Sequence, residues 1–322
     1  MNDASLRILY VFTDLVLPML LGYYLHQRRI ISDALCNKLI RFNIVFIYTL
    51  LSLLSFWTLP LSRSLLWLPG LGILLILIPG FISHFTFARK YPNLLDRGAY
   101  MMSSLLANLG TLGGLCAFIL YGETGFAYTQ LISAAQNFVL LLFCFPLAQY
   151  YYTKQTAAAR KTRLCIDFRQ IFLSWNQLGL IGMCLGMLLN AADVPRPAPL
   201  GTLFNSLVHI GAWTALLPVG YLVDLSRARL YYRKILDLLP LRCLILPVIL
   251  YVIAKLLFND QMLIGTLIIL ATAPTAINAV ITSRLFSLNV DLSIAAFLLT
   301  TAVFLLAVFP LIFFYVQAGG QF

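Results

Sequence analysis

The sequence predicts an all-α integral membrane protein whose ten transmembrane helices form two inverted five-helix repeats, the fourth and ninth helices being discontinuous. Three observations predict it. The chain is 61% hydrophobic and only 10% charged, with mean hydropathy +0.92 over 322 residues, too little charge to cover a soluble globule. Its apolar runs recur at the length of a bilayer crossing, about 20 residues. Its basic residues fall almost entirely in alternate loops, as retention of Lys and Arg on the cytoplasmic side requires.

The net charge of +11 does not point to nucleic acid, because the basic residues lie in short clusters between apolar runs. Cys36, Cys116, Cys144, Cys165, Cys184 and Cys243 show no Cys-x-x-Cys spacing and fall in apolar runs or basic loops, so neither a metal site nor a disulfide framework is indicated. Paired intramembrane carboxylates, His-x-x-x-His, Gly-x-Ser-x-Gly and a phosphate loop are all missing from the sequence. No catalytic residue and no cofactor is therefore assigned, and an enzyme is not expected.

In order, the apolar runs cover roughly 6–25, 39–59, 65–87, 99–120, 126–150, 171–190, 200–223, 237–257, 262–283 and 292–316. The first lacks the basic leader and small-residue cleavage site of a signal peptide, so it reads as a span; it carries Asp14, a charge well inside an apolar run. The fourth is interrupted by Ala-Asn-Leu-Gly-Thr-Leu-Gly-Gly from Ala107 to Gly114, and the fifth carries Gln136 and Asn137. The longest loop, Tyr151 to Gln170, divides the chain into a first half (1–150), a basic cytoplasmic loop (151–170) that is expected to touch anionic lipid, and a second half (171–322). The seventh run carries His209, and the ninth is interrupted by Thr272-Ala273-Pro274-Thr275-Ala276-Ile277-Asn278.

Of 22 Lys and Arg, 18 lie in the loops after runs 1, 3, 5, 7 and 9, Arg242 among them; the other side holds only Arg7, Arg63, Arg196 and Lys255. This split places both termini outside and supports ten runs, since one missed run would scramble the alternation. Five spans per half is an odd number, so the second half enters the membrane from the opposite side and the repeats are inverted. Gly22 and Gly186 are 164 residues apart, as are Gly110 and Pro274.

Paired interruptions in matching spans are a sequence pointer to a transporter's binding site, because broken backbone at bilayer depth persists where it lines a cavity. Pro274 has no N–H and its ring clashes with the Leu270 carbonyl, so the ninth span must bend or break there. Second half-helices beginning at mid-membrane present free N–H groups and a positive dipole end, which bind anions. The central parts of the spans read as free of Lys and Arg, so the anion is expected on helix ends and on the amides of Asn108 and Asn278. Gly110 and Gly113 let the backbone approach, and Thr111, Thr272 and Thr275 supply hydroxyls unless these bond their own backbone. Asp14, Gln136, Asn137 and His209 are candidates for coupling or for lining the cavity, the plainer alternative being bonds between neighbouring helices. Glu123 is expected to be solvated in an outer loop.

Several segments resemble the auxin efflux carrier family, related to the bile-acid-sodium symporters. They are Gly22-Tyr23-Tyr24-Leu25-His26-Gln27-Arg28-Arg29-Ile30-Ile31-Ser32, Asn108-Leu109-Gly110-Thr111-Leu112-Gly113, Tyr121-Gly122-Glu123-Thr124-Gly125, Pro195-Arg196-Pro197 and Ala273-Pro274-Thr275-Ala276-Ile277-Asn278. The resemblance implies a scaffold from spans 1, 2, 6 and 7 and a transport domain from spans 3–5 and 8–10, in which spans 4 and 9 cross as broken helices. Leu115 stands where the family has a span-4 proline and Thr49 where it has one in span 2, which leaves only glycines to break span 4 between Asn108 and Leu115. The function implied is elevator-type secondary transport of a small organic anion, auxin-like or malate/malonate-like, by a homodimer in a bacterial inner (plasma) membrane. The alternatives are a sodium- or proton-coupled bile-acid-type symporter and a receptor or sensor that binds without moving its ligand.

Overall fold

In the computed structural model, which describes residues 9–156, 178–222 and 229–322, helices account for nearly all the regular structure, and an isolated antiparallel bridge joins Ala107 and Thr275. The helices are α1 (Leu17–Gln27), α2 (Asp33–Thr58), α3 (Leu65–Phe85), α4 (Leu94–Leu105), α5 (Leu109–Thr156), α6 (Leu178–Ala191), α7 (Ala198–Tyr221), α8 (Leu238–Leu257), α9 (Gln261–Thr272), α10 (Ile277–Leu285) and α11 (Val290–Gln317). Six of them, α2, α3, α5, α7, α8 and α11, are long and apolar enough to cross a membrane, while α6 and α9 are shorter apolar helices.

The helix ends follow local chemistry. Ser32 accepts from the Leu35 N–H to cap the start of α2, Asn93 caps α4 through the Leu95 N–H, Asp260 caps α9 through those of Met262 and Leu263, and Asn289 caps α11 through that of Leu292. The sequence places a turn at Tyr121–Gly125, and α5 does depart from helical dihedrals at Gly122, where φ is +64°. Glycine takes that value without a Cβ penalty. α5 runs on to Thr156, so the start of the stretch read as the central loop is helical. The rest of that loop, 157–170, lies outside the described residues, as do Arg7, the opening of the sixth apolar run and Arg227.

The described residues form two compact units, each discontinuous in sequence: 9–66, 110–131 and 178–222 make the first, and 67–109, 132–156 and 229–322 the second. In the first unit small residues let backbones touch. A Cβ on Gly22 of α1 would lie 2.0 Å from the Leu217 carbonyl oxygen of α7, and one on Gly186 of α6 would lie 2.4 Å from that of Leu53 in α2, the close approach expected where apolar burial alone cannot drive helices together. Asn43 adds a polar tie, donating to the Gly211 carbonyl and to Thr214 Oγ1 at 2.8 Å each.

The second unit centres on α9, whose residues from Leu263 to Thr272 are all buried; a helix apolar all round is a core helix. α8 packs along it, and α4, itself packed against α3, α10 and α11, adds to the core, with Tyr100, Met102, Leu105 and Phe297 fully buried. At one edge of this unit Lys90 pairs with Asp237 at 2.5 Å, and the Tyr91 hydroxyl donates to the Lys234 carbonyl at 2.6 Å. Burial, and then Asp237 and Asp96, push the Tyr91 phenol above its ordinary pKa, so it stays neutral and donates.

Candidate anion site at the paired helix breaks

The site lies in the second unit, where two helices stop in mid-run. α9 stops at Thr272 because Pro274 cannot donate and pushes the residue before it out of the helical region; Ala273 sits at φ −55°, ψ 139°. α4 stops at Leu105, and Leu106 is extended at φ −92°, ψ 110° with no proline nearby. The break in the fourth run therefore falls upstream of the glycines, at Leu106 to Asn108. Gly110 and Gly113 lie beyond it in a π turn, Leu109–Gly113, and not in a gap in the hydrogen bonding. The cause is non-local. The two extended pieces pair, with the Asn108 N–H donating to the Pro274 carbonyl and the Ala276 N–H to the Leu106 carbonyl, both at 2.8 Å. Each break supplies the partners that the other's freed backbone needs.

Side chains complete this accounting. Gln136 donates to the Ala107 carbonyl at 2.7 Å, the Thr275 N–H donates to Thr300 Oγ1 at 3.0 Å, and the Thr275 hydroxyl donates to the Ser103 carbonyl at 2.9 Å. Thr272 bonds the Ile268 and Ile269 carbonyls of its own helix. Gln136 and Thr275 thus hold the broken backbone together while Thr272 stays on its own helix, and Asn108, 8% exposed, and the buried Pro274 pair through the backbone.

Arg242, 1% exposed, is the largest departure from the sequence reading. Counted there as a loop residue, it lies in a π turn, Leu241–Ile245, and its guanidinium ends at the breaks. Nη2 donates to the carbonyls of Ser103, Ser104 and Leu106 at 3.0, 2.9 and 3.2 Å, and Nη1 donates to that of Ala273 at 3.3 Å. One cation so satisfies the C-terminal ends of both α4 and α9, where aligned peptide dipoles leave negative partial charge. No carboxylate pairs with it among the described residues. The interior of this apolar unit therefore does hold a basic residue. Its signal in the sequence is apolar chain on both sides, Leu238-Leu239-Pro240-Leu241 before it and Leu244-Ile245-Leu246-Pro247 after.

The opposite dipole end is open. α10 begins at Ile277, Ala276 before it gives no side-chain cap, and Asn278 sits in its first turn, half-buried, its amide unbonded among the described residues. The Ala279 N–H already donates to the Ala276 carbonyl at 3.0 Å, and the N–H groups of Ile277 and Asn278 with this amide form a donor set of the kind that holds a carboxylate. Asn137 of α5 is likewise half-buried with an unbonded amide among the described residues.

The remaining candidates belong to the first unit. Gly110 and Thr111 line a cavity of about 30 Å³ with Asn43, Tyr48, Phe126 and Gly211, room for a water and not for an organic anion. Gly113 ends the π turn that opens α5. Asp14 and His209 meet each other: Nδ1 donates to the Asp14 carboxylate at 2.5 Å, with the Tyr10 ring tilted against the imidazole at a centroid distance of 4.4 Å. Glu123, expected to be solvated, is instead paired in two places with Arg196, at 3.0 Å on the Nη2 side, and Arg196 also donates to the Leu54 carbonyl at 3.0 Å.

No family model matches the chain, and none of the curated proteins matches it.

Proposed function

We propose that this chain is a secondary carrier of a small organic anion, of the kind found in the auxin efflux carrier family, working by alternating access around the two paired helix breaks. The observation that carries the reading is the polarity of the site. Both helix C-termini are neutralised by Arg242, while the N-terminus of α10 and the Asn278 amide are left with donors and no acceptor. With the C-terminal ends neutralised, the dipole at the start of α10 is left uncompensated, and a positive helix end with free donors favours an anionic ligand.

In this reading α4 with the start of α5, and α9 with α10, are the halves of the discontinuous fourth and ninth of ten crossings. The inverted repeat draws support from Gly22 and Gly186, 164 residues apart, each of which admits a carbonyl oxygen within 2.4 Å of the Cβ it lacks. The membrane is a bacterial plasma membrane with both termini outside, and movement is of the elevator type, with no covalent step.

Purified protein in liposomes should exchange a labelled mono- or dicarboxylate. Binding without exchange would make it a receptor on the same fold. Asn278→Ala should weaken binding about tenfold or more, the loss of one hydrogen bond to a charged ligand, while the protein stays folded in detergent; wild-type affinity in that variant removes α10 from the site.

A further inference from the structure

We infer that Arg242 is a resident counter-cation, tethered where a coupling metal ion would otherwise sit between the C-termini of α4 and α9, so that carriage of the anion needs no sodium. The sodium clause rests on the carrier reading above; the counter-cation itself does not. In carriers with discontinuous helices the half-helix C-termini and unwound carbonyls are the cation ligands. Each such end carries about half a negative charge, so two ends together call for about one positive charge. The Arg242 guanidinium supplies it through contacts of 2.9–3.3 Å to Ser103, Ser104, Leu106 and Ala273. At 1% exposure it is held in place by its own chain and does not exchange with solvent. A planar fork of N–H donors reaches carbonyls of both helices at once, which an ammonium cannot do as well.

The test is chemical replacement of the cation. Arg242→Ala should lose thermal stability in detergent and regain it on adding millimolar guanidinium chloride, by mass action on the vacated position. Urea, which has the same planar shape without the charge, should restore nothing. Recovery with urea equal to that with guanidinium, or recovery with neither, overturns the counter-cation. Should Arg242→Ala not fold, Arg242→Lys and Arg242→Met decide the matter: Lys should retain more stability than Met, and equal losses overturn the inference. In liposomes, uptake by the wild-type protein should be unchanged when choline replaces sodium, and a fall of about tenfold, typical of a coupled ion, overturns the sodium clause. If guanidinium rescues Arg242→Ala but the wild type moves no anion under any gradient, the counter-cation stands and the carrier reading falls.

Discussion

Glu123 and Arg196 show how a residue's surroundings can contradict its place in the sequence. Both come from short polar turns, where an exposed charge is the ordinary expectation. Yet their side chains are only 25% and 14% exposed, and they meet within the first unit. The pairing draws together two segments, Tyr121–Gly125 and Pro195–Arg196–Pro197, which the sequence offers only as separate motifs. Removing either partner leaves the other charge partly buried, so Glu123→Ala and Arg196→Ala should each cost about 1–2 kcal/mol, and the double variant should cost less than their sum. Thermal unfolding of the four proteins in detergent checks this; strict additivity would mean the pair does not couple. Asp14 and His209 were legible one at a time, as polar groups in apolar runs, but not as partners, because 195 residues separate them. If this pair takes up a proton during the cycle, Asp14→Asn should make anion uptake indifferent to an imposed pH gradient that speeds the wild type. An unchanged response to the gradient would leave the pair a static tie between α7 and the π turn Val11–Val16.

For whole elements, the two breaks differ in what dictates them. The end of α9 is written in Pro274 and could be read from the chain. The end of α4 is written nowhere near Leu106: it exists because the extended segment beyond α9 offers an acceptor and a donor to Asn108 and Leu106. Glycines in the fourth run therefore pointed to the right run and the wrong residues. Arg242 was missed for a related reason, since charge alternation sorts basic residues by loop and takes no account of one that lies a few residues inside an apolar run. Asp14, Asn43 and Arg242 all lie in π turns, a local widening common at functional positions that leaves no pattern in composition. Gln136 measures how far the breaks depend on side chains. Gln136→Leu leaves the Ala107 carbonyl with the Leu109 N–H, at 2.9 Å, as its remaining donor and should cost about 0.5–1.5 kcal/mol, seen as a lower unfolding temperature. No change would mean that the Leu109 N–H alone satisfies that carbonyl.

For the whole molecule, a linear sequence carries one property poorly and supports another as a proposal. The poorly carried one is the division into units. Each is assembled from three separated stretches, and contacts such as Gly22 against Leu217 depend on shape between distant residues. The proposed one is orientation, which rests on basic side chains resisting translocation loop by loop, whatever the fold inside. With 18 of 22 Lys and Arg on one set of loops, the proposed topology makes a prediction independent of any substrate. Alkaline phosphatase, active only outside the plasma membrane, should be active when fused after Asp193 or Phe322. It should be inactive after Lys90 or Lys234, where green fluorescent protein should fluoresce. Lys90 and Lys234 give the sharper test: they meet in space, Lys90 donating to the Lys234 carbonyl, so they must report the same side. Activity after one and silence after the other would break the alternation of loops. Activity after both, with silence after Asp193 and Phe322, would turn the molecule over and leave the alternation intact.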